Sequence, residues 1–211
     1  MKDFSDLAVV VLAAGSSSRL GKPKQLLHYQ QETLIKRVVK TALQITAENV
    51  FVVTGFLHEE LIDELKEQPV KFIQNKSWKE GMGSSIQTGI SAILKSEKAD
   101  KINAVLFLLS DQPLINFDHL DKLIQQFYLD KNSTIAATAY AETQGVPAVF
   151  DRSLFPEIQQ LSGSGGAGSL FKKYHQNLTT VLFEQAAIDI DTEADYLHLI
   201  QAEKINSPKN S

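Results

Sequence analysis

The stretch VVLAAGSSSRLGKPKQLL, residues 10–27, begins as an apolar β-run and breaks into glycine, three serines, an arginine and two lysines. A nearly continuous apolar strand suits a parallel sheet covered by helices on both faces. A small glycine-bearing turn at its carboxyl end exposes backbone N–H groups that can cradle an anion. Working outward, apolar runs recur at 7–15, 49–55, 70–75, 104–111, 133–140 and 180–185. Between them, 33–45 places Leu34, Val38, Ala42 and Ile45 on one helical face, and 84–95 and 116–128 repeat the pattern. The alternation predicts a three-layer α/β/α fold with a mostly parallel, Rossmann-like sheet and right-handed crossovers. After Tyr140 the rhythm changes to glycine-rich turns, a strand-like PAVF and two short helices. This 141–178 insertion is expected to cover the open edge of the sheet, where ligands of such folds bind beyond the carboxyl ends of the strands. Residues 1–202 are expected to form a single domain and 203–211 a flexible polar tail.

Composition narrows the function classes. The chain has 211 residues, 43% hydrophobic and 22% charged, enough for a sizeable core. Its 21 Lys+Arg against 25 Asp+Glu leave a net charge of −4, so no global positive field invites nucleic acid or a membrane surface. Any anion site must therefore be local. The absence of cysteine excludes a disulfide framework, a thiolate metal site and a cysteine nucleophile. The N-terminal apolar run is too short for a bilayer, and acidic residues stand where a signal peptide needs positive charge, so a cytoplasmic protein is expected.

The loop matches neither common phosphate fingerprint: the spacing is not G-x-G-x-x-G, and Gly21-Lys22 is followed by Pro23 rather than Ser or Thr. It presents Arg19, Lys22 and Lys24, either as solvated surface charges or as an anion site. A second signal is LFLLSDQPL, where an apolar strand runs into Asp111. A carboxylate at the end of a central strand lies at the ligand crevice and suits Mg²⁺, which takes one or two carboxylates plus substrate phosphate oxygens. Asp111 reads equally as a turn former ahead of Pro113. The five histidines show no metal spacing, and no serine sits in a G-x-S-x-G elbow.

Taken in order, LAAGSSSRLGKPKQLL, GMGSSI, SDQP, GVPAVF and DIDT resemble the MobA-like nucleotidyltransferases of the molybdenum cofactor cytidylyltransferase type, over about residues 7–199. The resemblance implies the fold of nucleotide-diphospho-sugar transferases and places backbone of Leu12, Ala13, Ala14 and Gly15 along the base and ribose. Arg19 and Lys24 would neutralise the triphosphate, and together with Asp111 form the catalytic set; Lys22 falls at a variable position and reads as surface. Ser85, with Ser84 beside it, would contact the base from a helix start, where Ser84 also reads as an N-cap. Asp111 would hold Mg²⁺, or Mn²⁺, which oxygen ligands suit equally. Asp191 would be the second ligand, with Asp189 on the same face of the extended segment; Asp191 also reads as the cap of the last helix.

On the acceptor side, Gly145 and Pro147 would shape the pocket. Relatives commonly read G-D-x-G-A-R in the next turn, whereas this chain has Ser164 and Gly168 at the acidic and basic positions. The implied substrates are CTP and a phosphorylated acceptor, molybdopterin, with pyrophosphate released and a molybdoenzyme receiving the product. Two other readings stand beside it: a sugar- or polyol-phosphate nucleotidyltransferase, and a non-catalytic nucleotide- or cofactor-binding chaperone.

Overall fold

The computed structural model describes residues 4–17, 20–161, 163 and 166–206, the last three by backbone alone. Its strands are β1 (Leu7–Ala13), β2 (His28–Tyr29), β3 (Glu32–Thr33), β4 (Val50–Thr54), β5 (Lys71–Gln74), β6 (Ala104–Leu109), β7 (Ile135–Tyr140), β8 (Thr143–Asp151) and β9 (Leu178–Leu182). Its helices are α1 (Leu34–Ile45), α2 (His58–Glu64), α3 (Met82–Leu94), α4 (Phe117–Leu129), α5 (Phe155–Ile158), α6 (Gly168–Lys173) and α7 (Glu193–Asn206). The main sheet has the order β5-β4-β1-β6-β8-β7-β9, while β2 and β3 form a separate ribbon. Within the main sheet every pairing is parallel except those of β8, which runs against both β6 and β7. The expected mostly parallel α/β fold is therefore present.

Burial explains why these runs became strands. All seven residues of β1 are buried. Val9 and Val11 meet α1 and α4 on one face, and Val10 and Leu12 meet α3, α5 and α6 on the other. Each fully buried Val, Leu or Ile contributes about 1.5–3 kcal/mol. Thr33 caps α1 by accepting from the Lys36 N–H at 3.3 Å, and Asn116 caps α4 by accepting from His119 N–H at 2.9 Å. On the opposite face, Gly89 lets α3 lie close on β1, since a Cβ there would meet Val10 Cγ1 at 2.7 Å.

Two expectations are corrected. The 141–178 segment does not lie wholly over the sheet edge: 143–151 is β8, inside the sheet, because Pro147 through Phe150 form a continuous buried run. Only the later part, through α5 and α6, packs on a face. The helix α7 runs on to Asn206, past the expected boundary at 202.

The β7–β8 hairpin turns on Ala141 (φ 46°) and Glu142 (φ 59°), both left-handed although neither is glycine. Such two-residue turns favour Asn-Gly because a Cβ is costly at φ > 0. Glu142→Gly should raise stability by about 1 kcal/mol, read as a higher midpoint in thermal unfolding; an unchanged or lower midpoint would show that the turn carries no strain.

Behind this hairpin, His119 is 3% exposed and stacks on Phe183 at 4.3 Å. The Thr138 hydroxyl donates to the Pro147 carbonyl at 2.7 Å and so accepts from His119 Nε2–H at 2.8 Å. Burial, and then the Lys122 charge, lower the imidazole pKa to about 4. The neutral ring's contribution is complete above pH 6.5 and is lost as pH falls towards 4, on the order of 3 kcal/mol. Denaturant unfolding between pH 7 and 4 should show this slope in the wild type and lose it in His119→Leu.

Candidate active site

The sheet order reverses between β1 and β6: β4 and β5 follow on one side of β1, and β6 pairs on the other. Ligands of open α/β sheets bind at such a switch point, beyond the carboxyl ends of the strands. Leu12 pairs with Leu109, so the loop 13–17 and Ser110-Asp111 leave the sheet side by side. A cavity of about 270 Å³ opens there, with Leu12, Ala13, Ala14, Gly15, Lys24 and Asp111 in its wall. The sequence placed each of these in a nucleotide site. Arg19 and Ser164 lie outside the described residues.

The loop is held by a residue that sequence reasoning missed. Gln25 is 1% exposed. Its Nε2 donates to the carbonyls of Gly15 (2.8 Å) and Ala13 (3.3 Å), and its Oε1 accepts from the Ser17 hydroxyl at 3.2 Å. The Lys24 N–H in turn donates to Ser17 Oγ at 3.1 Å. One buried amide thus ties the glycine turn to the base of the lysine, and the only sequence signal was a polar residue inside PKQLL. Gly55 backs the same turn: a Cβ there would meet the Ala14 carbonyl oxygen at 2.6 Å, and the following Phe56 N–H donates to that oxygen at 3.1 Å.

At the other end of the cavity Lys24 Nζ donates to Asp111 Oδ2 and, at 3.1 Å, to Asp191 Oδ1. Burial pulls the ammonium pKa down, but the two carboxylates outweigh it and raise it above its ordinary value. Asp189 lies close enough that burial first, and then the charges of Asp111 and Asp191, push its carboxyl up. Tyr140 is raised by burial and by Asp189 and Asp111, so it stands beside them as a neutral phenol. Asp191 is not the cap of α7. Thr192 takes that place: Asp195 Oδ2 accepts from the Thr192 N–H (2.7 Å) and hydroxyl (2.7 Å), while Thr192 Oγ1 accepts from the Asp195 N–H at 3.2 Å. This capping box leaves the Asp191 carboxylate to face Lys24.

Among the described residues the cluster holds the carboxylates of Asp111, Asp189 and Asp191 beside the Lys24 ammonium, and Asp111 Oδ1 is buried without a hydrogen-bond partner. Among the described residues no three acidic or histidine side chains close around a point as a ready cage for a metal. An orphaned carboxylate oxygen with a second carboxylate across the same ammonium fits a cation of Mg²⁺ type, whose remaining ligands are water and phosphate oxygens.

The two serines at the start of α3 separate. Ser85 faces the cavity. Ser84 is turned away, its hydroxyl against the carbonyls of Gly81 (2.8 Å) and Ser77 (3.0 Å), and the Asn75 side-chain amide reaches Ser84 at 2.9 Å and Ser85 at 3.0 Å. Ser84 therefore braces the helix start, in line with the structural reading of this residue, and Ser85 is the one of the two that reaches the cavity. Trp78 and Lys79 join the cavity wall, and no spacing in the sequence pointed to them.

A second cavity of about 210 Å³ shares Leu12, Met82 and Leu109 with the first. Gly145 and Gly168 line it, and among the described residues Tyr140 is its one polar side chain. Pro147 does not reach it; it is buried behind Val146, with its carbonyl taken by Thr138. Gln112, 5% exposed, ties both halves together by donating to the carbonyls of Val146 (3.2 Å) and Ala186 (2.9 Å).

The family model of the MobA-like NTP transferase domain matches residues 9–178. The chain belongs to this family. It is a nucleotidyltransferase, and members bind a nucleoside triphosphate and a phosphorylated acceptor. This MobA-like transferase is 29% identical to nicotine blue oxidoreductase of Paenarthrobacter nicotinovorans over 94% of its own length and 98% of that protein. It is 37% identical to the bifunctional protein GlmU of Francisella philomiragia over 56% of its own length but only 25% of that longer chain.

Among solved structures, Rv0371c of Mycobacterium tuberculosis H37Rv superposes with TM-score 0.77 at 23% identity, over 93% of this chain and 98% of the other. A manganese complex of the same protein gives 0.72 at 22% identity, with 93% and 98% covered. Molybdopterin-guanine dinucleotide biosynthesis protein A of Archaeoglobus fulgidus gives 0.64 at 16% identity, with 94% and 97% covered. At these identities the structural likenesses speak to the fold of the MobA-like transferase. Among its described residues no helix is long and apolar enough to cross a membrane.

Because Gly55 supports the Ala14 carbonyl from behind, Gly55→Ala should displace the turn and weaken nucleotide binding about tenfold or more while the protein stays folded. Calorimetric titration with nucleoside triphosphate, beside circular dichroism, checks this; unchanged affinity would show that the turn has room to move.

Proposed function

We propose that the protein is a CTP:molybdopterin cytidylyltransferase. In this reading the terminal phosphate of the acceptor attacks the α-phosphorus of CTP, the bond to the β-phosphate oxygen breaks, and pyrophosphate leaves. The observation that carries it is the Lys24, Asp111 and Asp191 cluster at the switch point, a set of charges suited to a metal and a triphosphate. The same set supports transfer over the redox chemistry in the name of the nicotine blue relative.

Each residue then has a task. The 13–15 backbone receives the ribose and base, with Ser85 opposite at the start of α3. Lys24, and Arg19 by the family resemblance, neutralise charge that spreads over the departing pyrophosphate. Asp111 and Asp191 would hold Mg²⁺ or Mn²⁺, which when bound supplies Lewis-acid polarisation of the α-phosphate. Asp189 and the Tyr140 phenol border these carboxylates from the acceptor side. The neighbouring cavity supports a ring acceptor over a sugar. Apart from Tyr140, its walls among the described residues are apolar side chains and glycine backbone, which receive a flat ring and hydrogen-bond its edge, whereas a sugar's hydroxyls call for several polar side chains.

The test is pyrophosphate release with each of the four nucleoside triphosphates and Mg²⁺, offered molybdopterin or a panel of sugar 1-phosphates. Release with CTP and molybdopterin is expected, and Asp111→Asn should lower it by about a hundredfold or more with the fold intact. Release with a sugar phosphate would move the acceptor. Tight CTP binding with no turnover of any acceptor would point to a binding protein.

A further inference from the structure

Lys24 stands where a divalent cation would have to sit. Its ammonium touches Asp111 and Asp191 together, the two carboxylates that would hold the metal in the reading above. The side chain is held there from both ends. The lysine backbone is pinned through Ser17 and Gln25, its side chain is only 16% exposed, and the two carboxylates are 14% and 28% exposed. An ammonium and a divalent cation cannot both occupy the space between two carboxylate groups. Without the Lys24 charge, Asp111 and Asp191, both mostly out of water at the end of β6 and before α7, would repel one another.

We propose that Lys24 is an internal placeholder cation, and that binding of metal with nucleotide is an exchange in which the ammonium moves from Asp111 and Asp191 to the triphosphate. This deepens the cytidylyltransferase reading and rests on its metal site, though not on its acceptor. Metal alone must displace the lysine with no new partner for the ammonium, so it binds weakly. A triphosphate offers the ammonium a better anion within reach, so metal and nucleotide bind cooperatively. The site is thereby kept from holding a bare divalent ion between turnovers.

The arrangement gives Lys24 substitution two effects of opposite sign. Lys24→Met removes the competitor and should tighten binding of Mn²⁺ alone on the order of tenfold or more, the equivalent of one charge-assisted hydrogen-bonded pair. It should also slow pyrophosphate release, because the triphosphate loses its cation. Electron paramagnetic resonance of free Mn²⁺, titrated against the full-length wild type and Lys24→Met without nucleotide, reads the first effect directly. Adding Asp111→Asn to Lys24→Met should abolish the gain. If Lys24→Met unfolds on heating so early that it cannot be titrated, Lys24→Gln, which keeps a neutral donor to the carboxylates, is read in its place.

Equal or weaker Mn²⁺ binding by the variant overturns the placeholder, and so does a gain that survives Asp111→Asn. Neither result touches the nucleotidyl-transfer reading, which stands or falls on pyrophosphate release by the wild type.

Discussion

The parallel pairing of β1 with β6 sets every later distance in the site. Register along this pair brings Leu12 opposite Leu109, and from there both chains leave the sheet at the same level and in the same direction. One becomes the small-residue turn and the other ends in Asp111. A parallel sheet permits this because its carboxyl ends gather on one edge. A slip of one residue in the pairing would exchange the buried faces of β1, turning Val9 and Val11 towards α3 and Val10 and Leu12 towards α1. The apolar packing on both faces therefore fixes the register, and the register fixes how far the turn stands from the carboxylate.

Around that frame the polar groups are economical. Two buried glutamines each span segments distant in the chain: Gln25 ties the turn to the lysine, and Gln112 ties the acceptor wall to the segment leading to Asp189 and Asp191. A buried amide that satisfies backbone carbonyls contributes more through the cost of losing it than through its net hydrogen-bond energy. Such residues position a site without touching what binds there.

The legible parts of the site were those whose chemistry is local. A strand running into a carboxylate, a glycine-bearing turn with basic residues, and alternating aspartates in an extended segment each announce their chemistry through neighbours in sequence, and the structure brings Gly15, Lys24, Asp111 and Asp191 together. Ser84 and Ser85 could not be told apart in the sequence, because adjacent serines at a helix start look alike until the Gly81 and Ser77 carbonyls claim one of them. Asp191 was open between cap and ligand for a similar reason. The cap went to Thr192 instead, through a hydroxyl one residue on and a carboxylate three further along.

By itself the sequence determined the layered α/β architecture, since periodicity and buried apolar runs depend only on neighbours along the chain. It also determined the family, through motifs kept in order across nearly the whole length. Tertiary structure decided the rest. It placed the PAVF run inside the sheet as an antiparallel strand, because only the burial of Pro147 through Phe150 between β6 and β7 distinguishes a central strand from a covering one. It also decided that Lys24 rests on two aspartates 87 and 167 residues away. Charge pairing at that separation follows from where the sheet carries each loop, and no local pattern encodes it.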